Sequence, residues 1–356
     1  MFSLSDLEAL RRIGLAQPLI PALLALPHRA DTAPMRVVEI QRDRVGLHDG
    51  NTGHRARVRP ALTQALLDQD DGLAVGDWVL AERNGFAELW ISERVPPLSQ
   101  IVRRDSDSGR RQPLVANVDT ALLVMGLDHD FNLRRLERYL ALARLSRVVA
   151  LVLLTKADTC TDVDERLAKV RAQLPADVEV WAGDGRDPTL CERLVPWLGA
   201  GQTLVLLGSS GAGKSTLTNT LTGTQAQATG AVRGDDSRGR HTTTARSLHR
   251  CAGGACIIDT PGLRMLRLDA DQAQLEAAFD DIACLALYCR FRDCHHVDEP
   301  GCAVREKVVP ERLRNFHKLL REARRDQLSV QQRRERLTQW KARGREAQVR
   351  MQAKRG

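Results

Sequence analysis

A multi-domain chain is predicted: a small all-β barrel of oligonucleotide-binding (OB) type, an α/β domain around a glycine-rich loop, and a helical, cysteine-bearing C-terminal part. Three observations predict it. Residues 35–100 alternate apolar and polar side chains in short runs broken at turn residues. Residues 117–268 alternate apolar strands with amphipathic helices. Residues 284–302 gather four of the eight cysteines into one short segment.

At 356 residues and 43% hydrophobic content, the chain has room for two or three domains with cores, which excludes a disordered protein. No apolar run approaches the roughly 20 residues a bilayer-spanning helix needs. Residues 1–34 carry Asp6 and Glu8 and lack a basic start, so they read as an extra helix or a loose arm, not a signal peptide. The expected compartment is the cytoplasm, and a monomer with no membrane partner is expected. Net charge is +8, yet Glu311 to the end holds 15 Lys or Arg against 5 Asp or Glu. The basic excess therefore belongs to the tail. That suits a polyanion, nucleic acid above all, and equally a solvated charged helix.

In 35–100, "RVVEIQRDRVGLHDG", "HRARVRPAL" and "AVGDWVLAERNGFAELWISERV" give four or five strands with turns at Asp49-Gly50 and Asn84-Gly85. Pattern alone does not separate an OB barrel from an SH3-like one, or RNA binding from a structural role. Residues 101–116 are polar and basic without periodicity and read as a linker. From 117 to 268, "VDTALLVMGL", "VVALVLLTKAD", "VEVWAG" and "TLVLLG" are strands, separated by helical segments such as "LRRLERYLALARL". Alternation of this kind implies a parallel sheet covered on both faces. Residues 269–325 form the cysteine-bearing helical domain and 326–356 a basic helical tail.

Gly208, Ser209, Ser210, Gly211, Ala212, Gly213, Lys214 and Ser215 fit G-x-x-x-x-G-K-[ST], with Thr216 next, between an apolar strand and a helix. Glycines let the backbone fold so that its N–H groups converge on phosphate oxygens, and the helix N-terminus adds favourable dipole charge. Lys214 is expected to reach the β- and γ-phosphates and Ser215 to ligate Mg²⁺. Downstream, "CIIDTPGL" ends a strand at Asp259, a Mg²⁺-binding carboxylate through water, and offers the Gly262 N–H to a γ-phosphate. Between them "SRGRHTTTARSL" supplies hydroxyls that suit the Mg²⁺ shell; its threonines fit an exposed strand edge equally well.

"TKAD" chooses the base. It is close to N-K-x-D: Asp158 would accept from guanine N1 and N2, a donor pair adenine lacks, and the Lys156 stem would lie along the ring. Thr155 stands where Asn is usual. The plainer reading is a helix-entry turn with Asp158 near a cap. A further base-binding loop, commonly Ser-Ala, is matched poorly by Trp181-Ala182-Gly183. The order is therefore TKAD, phosphate loop, threonines, DTPG, a rotation of the order in a switch GTPase. Such a circular permutation keeps the site and places the segment after DTPG at the domain's end.

In "CLALYCRFRDCHHVDEPGC", Cys289-x4-Cys294-x-His296-x5-Cys302 offers three thiolates and one imidazole, a closed tetrahedral set for one structural Zn²⁺ per chain. His295 can stand in for His296, and Cys284 for Cys289.

With these pieces the chain resembles the circularly permuted ribosome small subunit-dependent GTPase A family over residues 35–325. The resemblance rests on "VGDWV", "VANVDTALLV", "LRRLERYL", TKAD, GSSGAGKST, "GRHTTT", DTPG and the C-x4-C-x-H-x5-C cluster, in that order. It implies hydrolysis of GTP to GDP and phosphate, stimulated by the small (30S) ribosomal subunit late in its maturation, with 16S rRNA bound by barrel and zinc domain. Carried over, Lys214, Ser215, Asp259 and Gly262 serve phosphate and Mg²⁺, and Thr243 is the switch threonine that joins the Mg²⁺ shell. Lys156 and Asp158 serve guanine, and Cys289, Cys294, His296 and Cys302 hold Zn²⁺. Leu263 follows DTPG where many switch GTPases place a water-orienting Gln, so slow intrinsic hydrolysis is expected, with His241 the internal candidate for that role. The rival readings are an ATP-using phosphate-loop enzyme, an RNA-binding state sensor, and a zinc hydrolase, which the closed ligand set disfavours.

Overall fold

Period-two alternation builds the first body of the chain. In the computed structural model, residues 4–27, 32–41, 44–105, 109–223, 246–251, 253–261 and 267–325 are described. Strands β1 (Thr32–Ile40), β2 (Val45–His48), β3 (Gly53–Val58), β4 (Trp78–Arg83) and β5 (Leu89–Arg94) pair in the cyclic order β1-β2-β3-β5-β4-β1. The β3–β5 pair is parallel and the others antiparallel. Val37, Leu47, Ala56, Val79 and Ile91 fill the interior. A helix, Pro60–Asp68, occupies the β3–β4 connection. Closed order, one parallel pair and that helix make the barrel OB-type and settle the choice that pattern left open.

Ahead of the barrel lie α1 (Leu4–Arg11) and α2 (Ile20–Ala25); the connection helix is thus α3. These N-terminal residues are packed helices and not a loose arm. Leu10, Ile13, Leu19 and Leu23 are buried against Trp78, Leu80 and Val95. The wholly buried Arg36 ties this layer together. Its guanidinium donates to the carbonyls of Ile13 (2.5 Å), Asn117 (3.0 Å) and Gly76 (3.3 Å) and lies 5.4 Å from the Trp78 ring. Gly14 has φ +86°, and a Cβ there would collide with that guanidinium.

Next to Arg36, buried Asp77 accepts from the Ala74 N–H (2.8 Å) through Oδ2 while Oδ1 has no hydrogen-bond partner among the described residues. Burial pushes its carboxyl up to about 7, against the pull of Arg94. A raised carboxyl favours the folded state while protonated, so stability is lost as pH climbs toward the folded value. Between pH 5 and 8 we expect a loss of about 2–3 kcal/mol, which Asp77→Asn abolishes. Urea midpoints across that range measure it.

Residues 101–116, expected as a linker, are instead largely a pair of antiparallel strands, β6 (Gln100–Arg104) and β7 (Arg111–Ala116). Ile101 and Leu114 are buried, and Arg103 Nε donates to Gln112 Oε1 across the strands (2.8 Å). The buried residues run in blocks, Ile101-Val102 and Leu114-Val115-Ala116, with the arginines together at the other end of the pair, so no period-two alternation marks these strands.

The second sheet comprises β8 (Thr120–Gly126), β9 (Val149–Thr155), β10 (Glu179–Ala182), β11 (Thr203–Leu207), β12 (Ser247–Arg250) and β13 (Cys256–Asp259). A short β14 (Arg267–Leu268) joins β6. Spatial order is β10-β9-β8-β11-β13-β12; all pairs are parallel except β13–β12. All seven residues of β8 are buried, as a sheet covered on both faces requires. On one face Leu123 and Val205 pack with Leu136 and Leu140 of α4 (Leu133–Leu145). On the other, Leu122, Val124 and Leu204 pack with Leu217 of the helix after β11.

Helix α5 (Val163–Gln173) joins α4 on the first face, through Val170, and α6 (Thr189–Leu194) joins α7 (Lys214–Thr222) on the second, through Leu190 and Leu194. The strand that carries the phosphate loop, β11, lies inside the sheet between β8 and β13, although β8, β9 and β10 all precede it in the chain. That is the permuted arrangement read from the motif order. Barrel and sheet are continuous through the Glu39–Ser247 pair of β1 and β12.

A separate unit begins at Asp269. It contains α8 (Gln272–Ala278), α9 (Asp280–Ala286), α10 (Ala303–Lys307) and a helix over residues 310–325. Asp271 and Gln274 form a capping box at the start of α8. Leu275, Phe279, Ile282, Val304, Phe316 and Leu319 are buried, and Arg312 bonds Asp281 (2.8 and 3.0 Å) over the Phe279 ring. Among the described residues, no helix is long and apolar enough to cross a membrane. The basic tail, 326–356, lies outside the described residues.

Candidate nucleotide site and metal centre

The parallel pairing of β11 with β13 brings their carboxyl ends side by side, where open α/β sheets bind ligands. Gly208 to Gly213 turn from β11 into α7. Gly211 and Gly213 have φ of +83° and +91°, and a Cβ on Gly208 would collide with the Val124 carbonyl. Ser210 lies in the turn, and Thr216 in the first turn of α7. Buried Lys214 folds back, its ammonium donating to the carbonyls of Ser209 (2.7 Å) and Gly208 (3.0 Å). Burial pulls it down to about 8, opposed by Asp259 and Asp130. Ser215 Oγ donates to Asp259 Oδ2 (3.3 Å), so the two groups expected at Mg²⁺ are adjacent. The Thr260 hydroxyl donates to the Leu206 carbonyl (2.6 Å) and fixes the end of β13 against β11.

TKAD closes β9, two strands away from β11. Lys156 has φ +63°, a left-handed turn that ends the strand. The Thr155 hydroxyl donates to the Ala212 carbonyl (2.7 Å), so the base motif is tied directly to the phosphate loop. Lys156 Nζ bonds Asp128 (2.7 Å), and Asp158 bonds Arg186 (2.7 Å).

In the separate helical unit, one ligand atom from each of Cys289, Cys294, His296 and Cys302 lies within 4.8 Å of the others. The Cys289–Cys302 sulfurs are 3.8 Å apart, and His296 Nδ1 is 3.4 and 3.6 Å from Cys302 and Cys289. Tetrahedral zinc with ordinary Zn–S and Zn–N bonds spaces such pairs at about 3.8 and 3.6 Å. The donor set therefore fits. Cys284 stays exposed on α9, outside the cluster, and His295 is not part of it.

A model of the family described as RsgA GTPase matches residues 95–269. A Small ribosomal subunit biogenesis GTPase RsgA of Xanthomonas campestris pv. campestris (strain B100) is 43% identical over 293 residues, covering 80% of this chain and 79% of that protein. The chain belongs to the RsgA GTPase family. Its fold is also that of YjeQ from Thermotoga maritima, with TM-score 0.60, 23% identity and coverage of 82% of this chain and 98% of that one. YloQ, titled a circularly permuted GTPase, gives TM-score 0.57 at 21% identity, covering 84% and 98%.

Two contacts of this RsgA-family chain had no sequence signal. The Ser209 hydroxyl lies 2.6 Å from both oxygens of buried Asp130, and Arg135 braces the same carboxylate. Leu127 N–H donates to the Thr155 carbonyl (2.9 Å). The loop after β8 thus holds phosphate loop and base motif together. Thr243, His241, Gly262 and Leu263 lie outside the described residues.

Thr155→Val keeps the shape and removes the hydroxyl, leaving the Ala212 carbonyl short of a donor. We expect GTP affinity to fall about fivefold to tenfold, as for loss of one buried hydrogen bond. Titration with a fluorescent guanine nucleotide checks it.

Proposed function

We propose that this chain hydrolyses GTP to GDP and phosphate on the small ribosomal subunit during its late maturation, in the cytoplasm and as a monomer. The observation that carries the reading is the apposition of Lys214, Ser215 and Asp259 at the ends of β11 and β13 in a member of the RsgA GTPase family. Lys214 holds the β- and γ-phosphates, and loop N–H groups and the α7 N-terminus cradle them. Ser215 and Asp259, with Thr243, would hold Mg²⁺, which neutralises developing phosphate charge when bound. Gly262 offers its N–H to the γ-phosphate. Lys156 and Asp158 recognise guanine.

Cys289, Cys294, His296 and Cys302 hold one structural Zn²⁺. The barrel supports the 16S rRNA reading: Arg44, Arg57 and Trp90 line a cleft of about 520 Å³, with the Arg57 guanidinium 5.8 Å from the Trp90 ring. Cations interleaved with aromatic faces suit a single-stranded polyanion.

Hydrolysis of GTP and ATP, with and without small subunits, tests the function. GTP-selective turnover, weak alone and strongly raised by the subunit, is expected. Equal use of ATP refutes the base assignment, and absence of stimulation refutes the ribosomal role. His241→Ala with unchanged stimulated turnover removes His241 from the mechanism.

A further inference from the structure

We propose that Arg186 is a positioning residue for guanine recognition: from the loop after β10 it fixes the Asp158 carboxylate that reads the base edge. This rests on the reading of Asp158 given under Proposed function.

The chain lacks a Ser-Ala loop after β10 and has Gly183-Asp184-Gly185-Arg186 there. That loop is anchored on both sides. Gly183 N–H donates to the Leu154 carbonyl (3.0 Å), and the Thr220 hydroxyl of α7 donates to the Gly185 carbonyl (2.8 Å). Within it, Arg186 Nε donates to both oxygens of Asp184 at 3.0 Å, and its backbone N–H donates to Asp184 Oδ1 (3.0 Å). The guanidinium is therefore set by its own loop before it reaches Asp158. Its Nη2 then donates to Asp158 Oδ2 at 2.7 Å.

A carboxylate offers about four lone-pair positions. Arg186 takes one, leaving others on both oxygens for guanine N1–H and N2–H. The side chains of Arg186 and Asp158 are 66% and 36% exposed, so the pair adds little to folding stability. Its effect lies in holding Asp158 in one orientation, which lowers the ordering cost of binding.

The test compares GTP, ITP (which lacks N2), XTP and ATP as competitors of a fluorescent nucleotide on the full chain. For Arg186→Ala we expect GTP affinity to fall about tenfold, ITP less and ATP not at all, so the GTP-to-ITP preference shrinks. Arg186→Lys should restore part of it. An unchanged GTP-to-ITP ratio, or an equal loss for GTP and ATP, overturns the assignment. Asp158→Asn separates the two layers: a switch from GTP to XTP supports the base reading, and no switch overturns that reading and the inference with it.

Discussion

Lys214→Ala is expected to lower GTP turnover on the small subunit about a hundredfold to a thousandfold, as for other removals of a single group that stabilises transition-state charge. The ammonium sits in a cradle with two loop carbonyls at 2.7 and 3.0 Å. Those carbonyls hold it where a bound polyphosphate would find it. Burial drives its pKa down to about 8. Phosphate charge favours the ammonium, so binding near pH 8 should take up a fraction of a proton, and affinity should weaken as pH rises past 8. Calorimetry in two buffers of different ionisation enthalpy measures the uptake. Lys214→Ala should remove it along with turnover. Uptake that persists in the variant would assign it to another group.

What was legible in the sequence was local. The phosphate loop, DTPG and TKAD are short motifs at strand ends, and their order alone implied the permutation that the β10-β9-β8-β11-β13-β12 sheet displays. What escaped was tertiary or lacked periodicity. The pair of β6 and β7 hid because its buried residues run in blocks, Ile101-Val102 and Leu114-Val115-Ala116, instead of alternating. For the N-terminal segment the choice between an extra helix and a loose arm stayed open because Leu10, Ile13, Leu19 and Leu23 meet their partners far along the chain, at Trp78 and Leu80. Asp130 and Arg186 act on Ser209 and Asp158 across the fold, which no local pattern encodes. Thr155 looked like a departure, yet its hydroxyl makes the contact that binds base motif to phosphate loop.

Removing zinc is expected to unfold the helical unit while leaving guanine nucleotide affinity nearly intact, since every residue assigned to the nucleotide lies before Asp269. The physical reason is size. Residues 269–325 are a short stretch whose core is centred on Leu275, Phe279, Ile282, Val304, Phe316 and Leu319, and a core of that size gains from a staple. A Cys₃His zinc site supplies one, with apparent binding free energies of about 10–16 kcal/mol in small zinc domains. The ligands also join elements: Cys289 follows α9, Cys302 caps α10, and the His296 carbonyl lies 3.4 Å from His317 Nε2 on the last helix. Glu299 accepts backbone N–H groups from His295 and Val297 at 2.8 Å, shaping the turn between ligands. Cys294→Ser with Cys302→Ser should abolish the one zinc per chain seen by elemental analysis. Helical circular dichroism should fall, and limited proteolysis should cut after residue 268. Retained helicity and protease resistance without bound zinc would mean that the thiols pack as ordinary core and that the metal is dispensable.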